Sequence, residues 1–213
     1  ISGKDSMKND YIGPDVKISI PPTILVSVIG RIDDITKAVT MDAKRAGDIV
    51  YLLGVTRKEL GGSEFFASFG ITGSSVPKVD AQEALARYRK LHGAMGRSLI
   101  ASAHDLSDGG LAVALAEKAF AGNLGLSIDL GAVRTEGELT DTETLYSESQ
   151  SRILVTVSPG HAPEIEAIFG DDASRIGTVM PSRTLRIASK RGGTLIERDL
   201  AQLKKAWKAS LDL

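Results

Sequence analysis

The spacing of apolar side chains divides this chain into short strands and amphipathic helices. Runs of β-branched and aliphatic residues predict strands at residues 16–20, 23–30, 48–53, 98–101, 126–130, 152–158, 176–180, 184–188 and 194–196. Apolar positions at helical spacing predict helices over residues 81–95, 111–120, 162–169 and 200–211. Asp80 and Asp199 stand immediately before two of these helices, where an aspartate caps the free backbone N–H groups of the first turn.

Three polar stretches separate these elements. Residues 1–15 are rich in Gly, Asp, Asn and Lys and are predicted to form a loop. Residues 33–46 are a helix-compatible connector, and residues 135–144 are acidic and turn-like. Because strands and helices do not alternate regularly as βαβ units, the pattern favours an α+β fold.

The first part of the chain is too small to fold by itself, because two strands and a linker cannot bury an apolar side. Residues 1–44 are therefore predicted to be the end of one domain, and residues 45–213 to form the next. On this interpretation the sequence is the C-terminal part of a longer protein. The apolar strand from Thr23 to Gly30 would pair within a larger sheet, and as an open edge it would favour self-association of the isolated segment.

Composition narrows the functional class. The 213 residues are 42% hydrophobic and 25% charged, which is typical of a globular domain. A net charge of −1, with lysines and arginines spread along the chain, argues against a general nucleic-acid-binding protein. The chain has no cysteine, which excludes disulfides and thiolate metal sites and fits a cytoplasmic protein. The longest apolar run, residues 24–29, is too short to cross a membrane.

The stretch HDLSDGGL, from His104 to Leu111, is the strongest candidate for chemistry. It follows a predicted strand and precedes an alanine-rich helix, so it places carboxylates and a hydroxyl beside the free N–H groups of a helix start. Such a position suits a phosphate, and an adjacent carboxylate suits the Mg²⁺ that accompanies a polyphosphate. An ordinary helix cap explains the same residues equally well, with Asp108 as the capping residue.

Other polar residues have structural interpretations. His104 is expected to form packing or hydrogen-bonding contacts rather than to transfer protons. Glu148 and Arg152 flank the start of a strand and are expected to form a structural salt bridge. Trp207 is expected to pack on the core. Glu64 follows a glycine pair, and the sequence leaves open whether it caps its segment or contacts a ligand.

The chain opens with a second loop of similar chemistry, ISGKDSM, which combines glycine, lysine, carboxylate and hydroxyl groups. Together with four further motifs, it resembles the final portion of the synthetase subunits of phosphoribosylformylglycinamidine synthases, a family of de novo purine synthesis. The matching segments are SGKDSM (2–7), KISIPPT (17–23), LGGSE (60–64), HDLSDGGLAVALAE (104–117) and SESQSR (147–152). They occur in the family's order and cover nearly the whole chain.

The resemblance implies a fold related to aminoimidazole ribonucleotide synthetase, in which each repeated unit joins an N-terminal sheet domain to a C-terminal α+β domain of sandwich type. Residues 1–44 would be strands left from such a sheet domain. The implied enzyme is an ATP-dependent ligase. ATP phosphorylates the amide oxygen of formylglycinamide ribonucleotide, and glutamine-derived ammonia displaces the phosphate to give formylglycinamidine ribonucleotide and ADP. The implied partners are upstream synthetase domains and a separate glutaminase subunit.

The resemblance also implies site residues. Asp105 matches a carboxylate that holds Mg²⁺, and Ser107 matches a hydroxyl that contacts ATP or ADP. In the opening motif, Gly3 matches a nucleotide-contacting glycine and Ser6 a substrate-contacting serine. Relatives often have a metal-binding asparagine where this chain has Lys4. A protonated lysine does not bind Mg²⁺, so Lys4 is assigned to a phosphate. No residue of this chain is assigned to catalysis.

Two alternatives remain within this fold. In one, the unit holds a nucleotide as a permanent structural element and performs no chemistry, as one repeat of the family's large form does. In the other, the chain belongs to a related ATP-dependent enzyme, such as aminoimidazole ribonucleotide synthetase or selenophosphate synthetase. Segments 3–7 and 147–152 favour the purine enzyme over these relatives. The segment alone is expected to have no synthetase activity.

Overall fold

The computed structural model describes residues 2–6, 10–19 and 23–209, and for residues 2–6 it describes the backbone alone. The chain divides into two units, Ile1–Ala38 and Val39–Leu213. We keep the predicted domains, 1–44 and 45–213, as a proposal, since a compact unit of this chain need not coincide with a domain of a longer protein.

The described part of the first unit contains two antiparallel strand pairs. Strand β1 (Ser2–Ser6) pairs with β4 (Thr23–Ser27), and β2 (Asp10–Ile12) pairs with β3 (Lys17–Ser19). The loop predicted over residues 1–15 is therefore wrong where β1 and β2 lie. Strand β1 is polar and β2 is only three residues long, so neither has a strong local strand signal, and each forms through its partner strand.

The helical connector predicted over residues 33–46 is also wrong. Only a single 3₁₀ turn, Ile35–Lys37, forms there, and the Asp34 side chain caps it. Beyond this turn, residues 40–43 already belong to the second unit, and their backbone is hydrogen-bonded within it. Thr40 O accepts from Ala103 N at 3.1 Å, and Ala43 N donates to Lys118 O at 3.2 Å. Tertiary hydrogen bonds thus replace those that a helix would have supplied.

A seven-stranded mixed sheet forms the centre of the second unit, in the order β11-β10-β7-β9-β5-β8-β6. Its strands are β5 (Ile49–Leu53), β6 (Ser102–Asp105), β7 (Gly125–Asp129), β8 (Ile153–Val157), β9 (Ala173–Met180), β10 (Thr184–Ala188) and β11 (Thr194–Asp199). Strands β7 and β10 pair in parallel, and the other neighbours are antiparallel.

Six α-helices accompany the strands in the described part of this unit. They are α1 (Glu64–Ala67), α2 (Ala81–Gly96), α3 (Gly110–Gly122), α4 (Asp141–Tyr146), α5 (Ala162–Phe169) and α6 (Leu200–Ala209). The predicted caps are confirmed, since Asp80 Oδ1 accepts from two N–H groups of α2 and Asp199 Oδ1 from two N–H groups of α6. Helix α4 begins inside the predicted acidic turn, with a capping box formed by Thr140 and Glu143. None of the described helices is long and apolar enough to span a membrane.

Both faces of the central strand β5 are buried, so its alternating side chains contribute to two separate cores. Val50 and Leu52 join the cluster that includes the apolar side of α3. Tyr51 and Leu53 join the cluster that includes residues of α2 and α5. The outer strand β6 and helix α3 therefore sit on a well-packed base, which gives the segment between them a fixed starting point and end point.

Lys118, on helix α3, is completely buried and anchors the chain before β5. Its Nζ donates to Met41 O at 2.8 Å and to Ser102 Oγ at 2.7 Å, and Ser102 Oγ lies 2.6 Å from Thr156 Oγ1. Burial lowers the pKa of Lys118 to about 7, although Asp42 acts in the opposite direction. This ammonium therefore titrates near neutral pH.

Candidate functional site

Asp105 ends β6, and Ser107 lies in the short connection from β6 to α3; residues 105–109 are called the Asp105 loop below. Asp105 is the last residue of β6, and its side chain is 77% exposed. The strand was predicted over 98–101, but the structure places it at Ser102–Asp105, where it pairs with β8. Asp105 therefore projects from the strand itself rather than from the loop after it. Ser107 and Asp108 are also exposed.

Three hydrogen bonds fix the backbone of this loop. Leu106 N donates to Arg152 O at 3.1 Å, and Gly110 N donates to Ser107 O at 3.0 Å. Gly109 N donates to Glu148 Oε1 at 2.8 Å. Two of the three acceptors, Arg152 O and Glu148 Oε1, belong to the segment that leads into β8. That segment therefore supports the loop through hydrogen bonds.

The prediction that Asp108 caps α3 is wrong. The N-cap is Gly109, whose φ of +78° favours glycine, and it forms no side-chain cap bond. A Cβ at this position would lie 2.2 Å from Val113 Cγ2. The carboxylate that meets the helix start comes instead from Glu148, 39 residues further along the chain. Sequence proximity pointed to Asp108, whereas the fold brings in a distant residue.

Three of the motifs that carry the resemblance meet at this point. Besides Gly109 N, Glu148 Oε1 accepts from Glu64 N at 3.0 Å. Glu148 N donates to Glu59 O at 3.2 Å, and Arg57 N donates to Ser149 Oγ at 2.9 Å. The segments LGGSE, HDLSDGG and SESQSR therefore form one hydrogen-bonded junction.

The Arg152 side chain lies within this junction and is 1% exposed. It donates to Ser149 O and Thr56 Oγ1, each at 3.0 Å, and to Ser147 O. Burial lowers its pKa to about 10, while the charges of Glu59 and Glu148 act to raise it. The predicted Glu148–Arg152 salt bridge is wrong, because each side chain bonds to neutral groups instead, Glu148 to backbone N–H groups and Arg152 to carbonyl and hydroxyl oxygens.

Glu64 does not cap its segment, because Ser63 does. Ser63 Oγ accepts from Phe66 N at 3.2 Å, and the Glu64 side chain is exposed. Gly61, three residues before Glu64, is required by a close backbone approach. A Cβ on Gly61 would lie 2.7 Å from the backbone of Ser75, so only glycine permits this close approach.

His104 forms the hydrogen-bonding contact that was expected of it. Its Nε2 lies 2.8 Å from Glu117 Oε2. The prediction for Trp207 is only partly right, because its indole lies against Phe120 at a tilted angle, with ring centroids 5.7 Å apart, yet half of the side chain is exposed. Glu117 was not singled out from the sequence, although it is the last residue of the motif 104–117.

The remaining predicted site residues lie in the first unit. Gly3, Lys4 and Ser6 fall on β1, where their backbones are paired with Val26, Leu25 and Thr23. Their side chains lie outside the described part of the chain, so the nucleotide and substrate contacts expected of Gly3, Lys4 and Ser6 stay predictions.

The chemistry of the Asp105 carboxylate fits one ligand of a Mg²⁺ ion. Among the described residues there is no group of three or more His, Cys, Asp or Glu side chains placed to hold a metal. Mg²⁺ commonly takes one or two carboxylates together with phosphate oxygens and waters. Asp105, an exposed carboxylate on a fixed strand end, meets the requirement for one such ligand.

Comparison with known proteins agrees with the resemblance. The PurL subunit of phosphoribosylformylglycinamidine synthase from Thermococcus sibiricus is 36% identical over 204 residues, which are 96% of this chain and 28% of that protein. The PurL subunit of Alkaliphilus metalliredigens is 34% identical over 99% of this chain and 28% of its own length. The chain thus spans about 28% of these relatives.

Solved structures show the same similarity in three dimensions. Thermotoga maritima PurL complexed with FGAR superposes with a TM-score of 0.71 and 25% identity, covering 79% of this chain and 30% of that chain. The hydrogenase maturation protein HypE in complex with ATP, at 18% identity and a TM-score of 0.54, shares the fold alone. The expected α+β fold related to aminoimidazole ribonucleotide synthetase is confirmed.

The family described as AIR synthase related protein, C-terminal domain, matches residues 45–190, from just before β5 to just after β10. This stretch contains the Asp105 loop and the whole hydrogen-bonded junction beneath it. The chain therefore belongs to the AIR synthase related protein family, whose C-terminal domain it contains.

Proposed function

We propose that this chain is part of an ATP-dependent formylglycinamidine ribonucleotide synthetase. The enzyme would convert formylglycinamide ribonucleotide, glutamine-derived ammonia and ATP into formylglycinamidine ribonucleotide, ADP and phosphate. Identity with PurL subunits along nearly the whole chain supports this assignment. Solved complexes of Thermotoga maritima PurL with FGAR, ATP and ADP, at 25% identity, support it further.

The observation that carries the proposal is the exposed carboxylate of Asp105. The backbone that follows it is fixed by the hydrogen bond from Gly109 N to Glu148 Oε1. In the proposed site, Asp105 holds Mg²⁺ and the Ser107 hydroxyl contacts the nucleotide. When bound, Mg²⁺ neutralises phosphate charge. The contribution of this chain is positioning, since a ligand held on a rigid strand end loses little freedom on binding. Gly3 and Lys4, in the first unit, are also proposed to contact nucleotide, and Ser6 is proposed to contact the ribonucleotide substrate.

The proposal includes partners that this chain does not contain. Upstream synthetase domains of the same polypeptide would supply the remaining metal ligands, and a separate glutaminase subunit would supply ammonia. We also propose that the assembled enzyme acts in the cytoplasm. The isolated segment, with the exposed apolar side chains Ile24, Leu25 and Val26 on β4, would associate with a second copy.

Nucleotide exchange tests the proposal and separates it from a purely structural role. The full-length protein, purified without added nucleotide, is assayed for ATP and ADP, then mixed with labelled ADP and Mg²⁺. A nucleotide at the Asp105 site that exchanges within one turnover supports a site that takes part in the reaction. A nucleotide that stays bound through many turnovers supports the structural role. If nucleotide binding does not depend on Asp105, both roles are contradicted. Turnover by the 213-residue segment alone would contradict the requirement for upstream domains.

A further inference from the structure

The carboxylate of Glu148 stands where an anionic ligand would otherwise meet helix α3. Glu148 is 9% exposed, and its Oε1 accepts from Gly109 N at 2.8 Å and Glu64 N at 3.0 Å. Gly109 is the N-cap of the 13-residue helix α3. A negative charge at this end of a helix is favourable because the first N–H groups carry partial positive charge. The chain therefore fills this position with its own side chain.

The segment around Glu148 is held rigidly enough to act as a support. Ser147 Oγ accepts from Glu59 N at 3.3 Å, and Ser149 Oγ accepts from Arg57 N at 2.9 Å. The Arg152 guanidinium donates to the carbonyls of both serines. Glu148 thus lies between Ser147 and Ser149, each of which is hydrogen-bonded through both its hydroxyl and its carbonyl oxygen.

The same segment fixes both the beginning and the end of the Asp105 loop. Arg152 O accepts from Leu106 N, directly after Asp105, and Glu148 Oε1 accepts from Gly109 N at the helix start. Only Leu106, Ser107 and Asp108 lie between Asp105 and Gly109, and the side chains of Ser107 and Asp108 are exposed. The direction in which Asp105 and Ser107 project therefore depends on these two contacts.

We infer that Glu148 is a positioning residue for the proposed Mg²⁺–nucleotide loop and occupies the phosphate position at the start of α3. This inference rests on the proposed function of Asp105. A nucleotide phosphate does not then bind to Gly109 N–H, and it reaches the loop through a cation held by Asp105. Since Asp105, Asp108 and Glu148 are all acidic, a nucleotide without Mg²⁺ is repelled from this surface.

Three substitutions in the full-length protein test the inference, with MgADP affinity measured by calorimetry. Glu148→Gln keeps an oxygen acceptor, so MgADP affinity is expected to stay within about threefold of wild type. Glu148→Asp keeps the charge but withdraws the carboxylate by one methylene, and a loss of about tenfold is expected. Glu148→Ala is expected to lose at least as much, and the aspartate variant decides the outcome if the alanine variant fails to fold.

Glu143 provides the matched control. Its carboxylate also accepts a backbone N–H at a helix start, from Thr140 at 2.8 Å, but it belongs to the cap of α4. Glu143→Asp is expected to lower the melting temperature without changing MgADP affinity. If Glu148→Asp behaves like this control, or if Glu148→Gln loses as much affinity as Glu148→Asp, the inference is overturned.

Two further measurements separate this inference from the proposed function. ADP with the metal chelated is expected to show no binding at the site, and binding as tight as that of MgADP would overturn the occupied phosphate position. Asp105→Asn is measured alongside. An unchanged MgADP affinity in Asp105→Asn would contradict the proposed function itself. A loss in Asp105→Asn with none in Glu148→Asp would contradict only the role of Glu148.

Discussion

The indole N–H of Trp207 donates to Glu117 Oε1 at 3.0 Å, while the other oxygen of the same carboxylate lies 2.8 Å from His104 Nε2. Helix α6 is thereby connected through α3 to the strand that ends at Asp105. The contact is partly exposed, since Trp207 keeps half of its surface in solvent and Glu117 about a fifth. The Glu117 carboxylate therefore bonds two ring side chains, His104 of β6 and Trp207 of α6.

Trp207→Phe is expected to lower the free energy of unfolding by at most about 1 kcal/mol, because it removes one partly exposed hydrogen bond and keeps an aromatic ring beside Phe120. Glu117→Ala removes both bonds and is expected to cost more. Urea unfolding measures both effects. It is followed by far-UV circular dichroism instead of tryptophan fluorescence, because Trp207→Phe removes the chain's only tryptophan. Lys208→Ala, on the exposed side of α6, is the control. A smaller cost for Glu117→Ala than for Trp207→Phe would contradict the shared contact.

Asp105→Asn is expected to weaken Mg²⁺-dependent nucleotide binding, because an amide is a much poorer Mg²⁺ ligand than a carboxylate. Ser107→Ala is expected to have a milder effect, by about the 1 kcal/mol of one hydrogen bond. Asp108→Asn is expected to change little, because within the described structure its exposed side chain caps no helix. Nucleotide content and MgADP affinity of the three full-length variants provide the measurement. The assignment is reversed if Asp108→Asn proves the most damaging and Asp105→Asn is silent.

Lys118→Met is expected to change how stability depends on pH. The folded-state pKa of Lys118 is about 7, whereas an unfolded lysine titrates near 10.4. Between these values the unfolded chain binds one more proton, so wild-type unfolding free energy rises with pH by up to about 1.4 kcal/mol per unit. The methionine variant lacks this contribution. The free energies of unfolding of the two proteins are measured in urea from about pH 7 to about pH 9. The difference between them should increase in favour of wild type as the pH rises, and a constant difference would contradict this prediction.

Arg152→Lys is expected to destabilise the protein by roughly 2–4 kcal/mol although it conserves the charge. A lysine cannot reproduce the planar fork that bonds Ser147 O, Ser149 O and Thr56 Oγ1, so buried oxygens lose their donors. Arg175→Lys, at an exposed position of β9, is the control and should cost less than about 0.5 kcal/mol. Urea unfolding reports both values. Similar costs at the two positions would show that the junction does not depend on the guanidinium.

Val26→Lys is expected to reduce self-association of the 213-residue segment, because a charge on an open strand disfavours pairing with another chain. Ile24 and Val26 are 71% and 59% exposed on β4. Sedimentation velocity over a range of concentrations measures the effect. Ile18→Lys, at an exposed position of β3, is the matched control. A wild-type segment that stays monomeric at every concentration, or an equal effect of Ile18→Lys, would contradict pairing through β4.

The sequence predicted well those elements whose signals are local. Helices α2 and α6 begin after capping aspartates, and β5 lies within a continuous apolar run, so period and caps were sufficient. The family resemblance also identified the Asp105 loop. What the sequence alone did not predict depends on contacts between distant residues.

The failures follow from the same physical cause. Strand β1 is polar and forms because β4 pairs with it, and residues 40–43 do not form a helix because their backbone bonds to β6 and α3. Asp108 is of a residue type that commonly caps helices and lies close to the start of α3. The side chain that bonds there is instead Glu148, from another part of the fold. Glu148 and Arg152 have opposite charges at close spacing, yet backbone groups compete successfully for both.

Both hydrogen bonds of the Glu148 carboxylate end on backbone N–H groups, at positions 64 and 109. The side chains at these positions take no part in the contact, and at position 64 any residue except proline supplies the same donor. A substitution there needs no compensating change at position 148. Correlated substitution in related sequences, which reveals many spatial contacts, should therefore carry no trace of this one.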